Sequence, residues 1–491
     1  MASIKKLAGQ TIIYGMPTIL GRLLNYLLVP LQTYVFATAQ YGIIGEMYAW
    51  MSLLLVILTY GMETAFFRFS QIDEYQKKSY STALISLLST SLLFLLICLI
   101  FDNGIASLMN YGDNPEYIRW MGLIVSLDAF TSISFARLRL QMRSVKFAIV
   151  KFANIGVNIL LNLFYLALCP YLYNIGFAPD IMKVIYDPSV GVGYVFIANV
   201  AASMITLLLL LPEIFKIKWN FDFILWKKMM RYALPLLVLG LAGIVNETMD
   251  RVLIKYLSPS DIAQSQVGIY SACYKISIMM TIFIQAFKYA AEPFFFSKSK
   301  DKDAKDTYSQ VMTFFVLICS VMFIGIMLYI DIVKYFVGPE YHVGLKVVPV
   351  LLLANLFLGI FYNLSIWYKL TDKTKYGAYI TLIGAVITLT LNFVLIPIIG
   401  YYGSAWATFV CYFVMMVLSY ILGQKHYRVE YKTGRMIYYI LFAVAIYLVS
   451  TFIPAPSKSI HLLVNTALLL IYFSVLFLTE RKILKQMFTN S

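Results

Sequence analysis

Apolar segments of about 20 residues follow one another along almost the whole chain, and each is long enough to cross a hydrocarbon core of roughly 30 Å as a helix. Hydrophobic residues make up 61% of the 491 residues and charged residues only 13%. A water-soluble fold of this composition would expose large apolar patches. We therefore predict an all-α integral membrane protein of about 14 transmembrane helices. The predicted spans are 10–36, 42–66, 80–101, 117–137, 147–170, 190–213, 232–256, 266–296, 307–330, 346–368, 376–397, 401–423, 436–453 and 459–479.

Lys and Arg residues are concentrated in every second loop between these spans. With a cytoplasmic N-terminus, most of the 39 basic residues fall in cytoplasmic segments, which is the bias expected of a membrane protein. The pattern predicts that both termini are cytoplasmic. It also accounts for the net charge of +15 without any nucleic-acid partner.

Motifs of known enzyme classes are missing from the sequence. It has no Walker A loop, no glycine-rich nucleotide fingerprint and no His-Glu-x-x-His helix, so ATP-driven transport and metal-dependent hydrolysis lack their usual residues. The five cysteines have no metal-like spacing. A membrane polysaccharide polymerase or ligase stays open as an alternative, but such enzymes carry a large catalytic outer loop, and the outer loops here are short. We expect no enzyme activity, no metal and no cofactor.

The second half of the chain repeats polar features of the first. The matched positions are Tyr14-Gly-Met-Pro17 with Tyr232-Ala-Leu-Pro235, Tyr41-Gly-Ile with Val267-Gly-Ile, Glu63 with Glu292, and Asn162 with Asn392. Chance similarity between leucine-rich spans is the alternative, but the polar matches favour a duplication. Because an even number of spans separates equivalent positions, the halves should be related by a pseudo-two-fold axis along the membrane normal, with a cleft between them.

This repeat divides the chain into two six-helix lobes. We predict an N-lobe at 1–213, a cytoplasmic amphipathic linker at 214–231, a C-lobe at 232–423, and two further helices with a cytoplasmic tail at 424–491. The linker alternates basic and aromatic residues, which suits a segment lying among membrane lipids at the interface.

Ionisable residues inside predicted spans are the candidate functional residues, because a charge near the bilayer centre costs about 2.5–3.5 kcal/mol on insertion scales. Arg22 lies midway along the first span beside Asn25, and a guanidinium can bind a phosphate through two hydrogen bonds. Lys275 and Lys288 are further candidate substrate ligands. The candidate coupling or gate residues are Glu63, Arg68, Asp128, Glu247, Asp250, Arg251 and Glu292.

Simple charge neutralisation is the alternative explanation for several of these residues. Glu63 with Arg68, or Asp250 with Arg251, could form structural pairs that fix the rotation of a helix. The matched positions of Glu63 and Glu292 near the inner ends of their spans are typical of an intracellular gate.

The N-terminal region carries a family resemblance. The stretch from Tyr14 to Asn25, the proline Pro30, the tripeptide Tyr41-Gly-Ile and the stretch from Tyr60 to Arg68 resemble the polysaccharide transporters, of the O-antigen flippase type, in the multidrug/oligosaccharidyl-lipid/polysaccharide (MOP) flippase superfamily. The resemblance extends over essentially the whole chain.

The resemblance implies a MATE-like bundle of two lobes, with spans 13 and 14 peripheral, that alternates between inward and outward openings in a bacterial inner membrane. Its substrate would be an undecaprenyl-diphosphate-linked oligosaccharide destined for O-antigen (lipopolysaccharide), capsule or exopolysaccharide. Coupling to H⁺ or Na⁺ and contact with polysaccharide polymerase or assembly proteins are implied in the same way. A cation-coupled multidrug antiporter of the same superfamily is the alternative within transport.

Overall fold

The computed structural model describes residues 20–21, 23–216, 219–454 and 457–489, with side chains described as far as 479. Within these residues, 13 helices are long and apolar enough to cross a membrane, which confirms predicted spans two to fourteen. Residues 10–19 and 22 of the first predicted span lie outside the described residues, and the last part of that span forms helix α1 at Leu28–Val35. Helices also satisfy every backbone polar group within the segment, as a lipid environment requires.

The remaining helices follow the predicted order. They are α2 (Thr38–Phe69), α3 (Gln76–Ile100), α4 (Glu116–Leu140), α5 (Ser144–Asn174), α6 (Gly193–Phe215), α7 (Phe223–Leu257), α8 (Ala263–Lys298), α9 (Ala304–Leu328), α10 (Pro339–Leu370), α11 (Lys375–Ile399), α12 (Tyr401–His426), α13 (Thr433–Phe452) and α14 (Lys458–Thr479). We call the end of the bundle where α2 and α8 begin the predicted outer end, and the opposite end the predicted inner end.

Two lobes make up the bundle. Helices α2 to α6 pack on one another in the first lobe, and α8 to α12 pack on one another in the second, while α13 and α14 pack on α9 at the periphery. At 35 and 36 residues, α7 and α8 are each about 53 Å long at a rise of 1.5 Å per residue. They therefore extend well beyond the hydrocarbon core.

Helix α2 is interrupted close to the predicted inner end, between Thr38–Thr59 and Met62–Phe69. Gly61 adopts a φ of 70° there, a left-handed conformation that costs glycine little. A Cβ at this position would lie 2.9 Å from the carbonyl oxygen of Ala233 in α7. The break thus lets α7 approach the N-lobe closely.

The second half of the predicted linker at 214–231 is helical. Helix α7 already begins at Phe223, where the side chain of Asp222 accepts a hydrogen bond from the backbone N–H of Leu225. That N–H and the Lys78 ammonium lower the pKa of Asp222, so this helix cap stays ionised at neutral pH. Trp226 donates from Nε1 to Ser86 Oγ at 2.8 Å.

The first turns of α7 therefore belong to the packing of the N-lobe. Leu225, Met229 and Ala233 are fully buried in one hydrophobic cluster with Phe66 of α2 and Leu84 of α3. These apolar residues are spaced at i, i+4 and i+8, so one face of the helix docks on the N-lobe. Further along, α7 packs on α11, and the helix connects the two lobes.

Candidate functional site

The lobes meet most closely at the predicted outer end, where α2 crosses α8. A Cβ on Gly42 would lie 2.0 Å from the carbonyl oxygen of Gln264, and a Cβ on Gly268 would lie 1.8 Å from that of Thr38. Each glycine thus faces the carbonyl four residues before the other glycine. Gly42 and Gly268 are the central residues of the repeated tripeptides, so this crossing has the reciprocal geometry of a two-fold axis.

A buried charge pair lies beside this crossing and joins the lobes. Lys255 Nζ in α7 lies 2.9 Å from Glu46 Oε2 in α2, and the two side chains are 7% and 0% exposed. The same ammonium donates to the carbonyl oxygen of Met109 at 2.6 Å, and Tyr111 donates its hydroxyl proton to Glu46. Gln264 of α8 donates to the Tyr111 hydroxyl at 3.1 Å. Because each charge has several partners, these contacts offset the free-energy cost of removing the pair from water.

Below the crossing, a polar cavity of about 590 Å³ lies between the lobes. The N-lobe contributes uncharged polar groups, whereas α7 and α8 contribute charged ones. Its polar lining residues are Asn25, Gln32, Tyr41, Tyr48, Ser52, Asn154, Asn158, Asn199, Glu247, Thr248, Arg251, Ser271, Tyr274 and Lys275. The cavity is therefore suited to a ligand with both charged and hydroxylated parts.

The two cations of this cavity differ in their partners. Arg251 pairs with Asp250 at 2.8 Å, and the other carboxylate oxygen of Asp250 accepts from the Tyr270 hydroxyl at 2.6 Å. The Arg251 guanidinium also lies 4.4 Å from the centre of the Tyr274 ring. In the part of the chain that the structure describes, Lys275 has no hydrogen-bond or ion-pair partner. It is the cation left available to an anionic ligand.

A second polar cavity of about 500 Å³ lies within the C-lobe. Lys288 is in its lining, with the ammonium 4.5 Å from the centre of the Tyr362 ring, which is a cation–π arrangement. Glu247 and Tyr274 line both this cavity and the central one. The two cavities are thus adjacent along α7 and α8.

The predicted gate residues near the inner end form pairs, but with other partners than the sequence suggested. Glu63 pairs with Arg139 of α4 and not with Arg68, whose guanidinium stacks on the Tyr232 ring of α7 at 4.4 Å. Glu292 pairs with Lys369 of α10 at 2.7 Å. The pairing of Glu63 with Arg68 was therefore wrong, while that of Asp250 with Arg251 forms.

The Glu63 and Glu292 pairs occupy equivalent places in the repeat. Each joins the second helix of its lobe to the fourth, and the partners are 76 and 77 residues apart in sequence. Asn162 and Asn392 show the same equivalence, since both are fully buried and both donate to the carbonyl oxygen four residues earlier. The duplicated sequence therefore retains duplicated contacts.

The remaining predicted residues lie in different places. Asp128 accepts a hydrogen bond from Ser203 at 2.7 Å inside the N-lobe, and it is not in the lining of the central cavity. Asn25 lines that cavity and accepts from Asn158 at 3.2 Å. Arg22 lies outside the described residues. No group of three or more potential metal ligands occurs among the residues described.

A third cavity, of about 530 Å³, is apolar. It lies between α9, α10, α12 and α13, and its lining is almost entirely hydrophobic, including Phe357, Phe413, Met416 and Leu441. A long hydrocarbon chain fits such a lining, because the chain itself has no polar group that would be buried without a hydrogen-bond partner.

Two lobes of membrane-length helices with a polar cavity between them define a multi-pass membrane protein. The sequence model of the family described as polysaccharide biosynthesis protein matches residues 7–299. The chain belongs to this family. None of the curated proteins matches the chain significantly in sequence.

Solved structures agree with this assignment at the level of the fold. The lipid II flippase MurJ in an inward closed conformation is 14% identical, with a TM-score of 0.73, over 96% of this chain and all of that one. An inward-facing multidrug resistance MATE family transporter of the MOP superfamily is 14% identical with a TM-score of 0.65, over 85% and 97% of the two chains. An outward-facing multidrug resistance MATE family transporter of the MOP superfamily has a TM-score of 0.57. The predicted MATE-like architecture is confirmed.

Proposed function

We propose that this flippase moves an undecaprenyl-diphosphate-linked oligosaccharide from the cytoplasmic to the periplasmic face of a bacterial inner membrane by alternating access, acting as a carrier and not as an enzyme. Both termini would be cytoplasmic, as the distribution of basic residues indicates. In this proposal the lobes at 1–213 and 232–423 move about the helix α7 that connects them.

The observation that carries the proposal is Lys275 in the central cavity. Its ammonium has no carboxylate partner among the described residues, and Arg251 lies in the same cavity lining. Lys275 is half-buried, and a half-buried cation without a counter-ion is unfavourable, so a ligand that brings its own negative charge would be favoured. A diphosphate supplies that charge, and the amides and hydroxyls of the N-lobe side suit sugars. The lining of the apolar cavity suits the polyprenyl chain.

The test is glycan export in a deletion strain complemented with Lys275→Ala, Lys275→Arg or Lys183→Ala at matched expression. Hydrogen bonds to charged groups contribute about 1.5–3 kcal/mol, so we expect Lys275→Ala to lower the initial export rate roughly ten- to hundredfold. Lys275→Arg keeps the charge and part of the activity. Lys183→Ala, a change in the exposed segment before α6, is the control and should export normally.

The same strains separate the alternatives. Accumulation of lipid-linked oligosaccharide on the cytoplasmic side in the deletion and Lys275→Ala strains supports the proposal. Unchanged surface glycan with increased drug sensitivity would instead favour a multidrug antiporter, coupled to H⁺ or Na⁺ through residues such as Asp128. Export should also be lost in Arg22→Ala and partly retained in Arg22→Lys, if that side chain is a second phosphate ligand.

A further inference from the structure

Helix α8 presents one polar stripe that runs from the central cavity into the C-lobe cavity. Its members are Ser271, Tyr274, Lys275, Thr281, Gln285, Lys288, Tyr289 and Glu292. Most neighbours in this set are three or four residues apart, and Ile278, which also lines the central cavity, is three residues from both Lys275 and Thr281, so the set lies along one face of the helix. From Ser271 to Glu292 the stripe extends about 30 Å at 1.5 Å per residue. A single elongated ligand could therefore follow it through both cavities.

In the C-lobe part of this stripe both charged side chains contact another side chain, whereas Lys275 in the central part has no such partner among the described residues. Glu292 is paired with Lys369 at 2.7 Å, and the Lys288 ammonium lies against the Tyr362 ring. What the cavity offers instead are amides, hydroxyls and tyrosine rings. These come from Gln285, Thr281 and Tyr289 of α8, Asn355 and Tyr362 of α10, Thr381 of α11 and Tyr412 of α12.

This lining has the chemistry of a saccharide site. Amides both donate and accept hydrogen bonds, as sugar hydroxyls require, and aromatic rings offer flat apolar faces beside them. Tyr289 is 43% exposed, so its ring is accessible from the cavity. Asn355 instead donates to the carbonyl oxygen of Ser277 at 3.3 Å, which holds its amide in a fixed orientation.

We infer that the C-lobe cavity is a glycan subsite, in which the stripe of α8 from Thr281 to Glu292 binds the saccharide while the central cavity binds the diphosphate of the same molecule. This inference rests on the proposed function, because it divides one lipid-linked substrate between two cavities. Tyr274 and Glu247, which line both cavities, mark the boundary between the two subsites.

Equilibrium binding to the purified full-length protein in nanodiscs tests this division with two separate probes. The first is undecaprenyl diphosphate without glycan, and the second is the free oligosaccharide released by mild acid from the lipid-linked material of the deletion strain. The variants are Tyr289→Ala and Gln285→Ala in the C-lobe cavity and Lys275→Ala in the central one. Tyr379→Ala, a tyrosine of α11 that is 59% exposed and absent from the cavity lining, is the control.

We expect Tyr289→Ala and Gln285→Ala to weaken binding of the oligosaccharide by roughly fivefold to tenfold and to leave that of undecaprenyl diphosphate unchanged. Lys275→Ala should show the reverse pattern. The glycan subsite alone would be overturned if undecaprenyl diphosphate still bound through Lys275 while the oligosaccharide did not bind, or bound equally well to the wild-type protein and both C-lobe variants. If neither probe binds the wild-type protein, both the proposed function and the glycan subsite are overturned. Equal loss of both probes in the C-lobe variants also overturns the division.

Discussion

The two ends of the bundle use charge pairs differently. At the predicted outer end, the buried pair of Glu46 and Lys255 connects the N-lobe to α7, next to the crossing of Gly42 and Gly268. At the predicted inner end, each of the pairs Glu63–Arg139 and Glu292–Lys369 stays within one lobe. The outer contacts therefore hold the lobes together in this conformation, whereas the inner pairs hold each lobe together as a unit. In the proposed alternating-access cycle, only contacts of the first kind must break when the cavity opens to the other side.

The glycine crossing offers the strongest test of this difference. Gly268→Ala would place a Cβ 1.8 Å from a backbone carbonyl oxygen of α2, and backbone atoms cannot rotate away as a side chain can. We expect the outer end to stay open and glycan export to fall at least tenfold, since closure is part of every transport cycle. Gly42→Ala should behave alike.

Closure can be measured directly by cross-linking Thr38→Cys to Ser265→Cys, whose wild-type hydroxyl oxygens lie 2.9 Å apart. The five native cysteines are buried, so the introduced pair should react selectively. Gly156→Ala is the control, because its Cβ meets no atom within 4 Å and alanine favours a helix by up to about 1 kcal/mol. If the Gly268→Ala variant formed the Thr38–Ser265 cross-link to the same extent as the wild-type protein, the glycine crossing would not be needed for closure.

The buried pair gives a second, intermediate effect. Lys255→Met removes one charge and leaves Glu46 buried without its counter-ion, a change that costs about 3–5 kcal/mol in buried pairs. We expect the Thr38–Ser265 cross-link to decrease strongly in Lys255→Met and to recover largely in the double variant Glu46→Met/Lys255→Met, because replacing both charges by apolar groups is often neutral. An equal decrease in the single and double variants would mean that the charges do not act as a pair.

Sequence reasoning predicted the spans well because hydrophobic length and loop charge are local properties. It did not predict which charges pair, because this depends on the rotation of helices distant in sequence: Glu46 and Lys255 are 209 residues apart. The sequence also did not reveal the burial of Leu225 and Met229, because this burial arises only when α7 docks on the N-lobe. Some of the missing information was nevertheless present in the repeat, where Arg139 and Lys369 follow their glutamates at nearly equal distances.

We expect the smallest effect at the predicted inner end, and this effect tests whether the charge pairs at the two ends of the bundle differ in role. Glu63→Gln and Glu292→Gln remove charges from pairs whose side chains are between 25% and 38% exposed, and solvent-exposed pairs contribute only about 0–1 kcal/mol. Both variants should therefore leave the Thr38–Ser265 cross-link unchanged and lower the thermal midpoint slightly and equally, since the pairs are equivalent in the repeat. If Glu63→Gln disturbed the cross-link as much as Lys255→Met does, the inner pair would control the lobe interface too, and the distinction between the two ends would be lost.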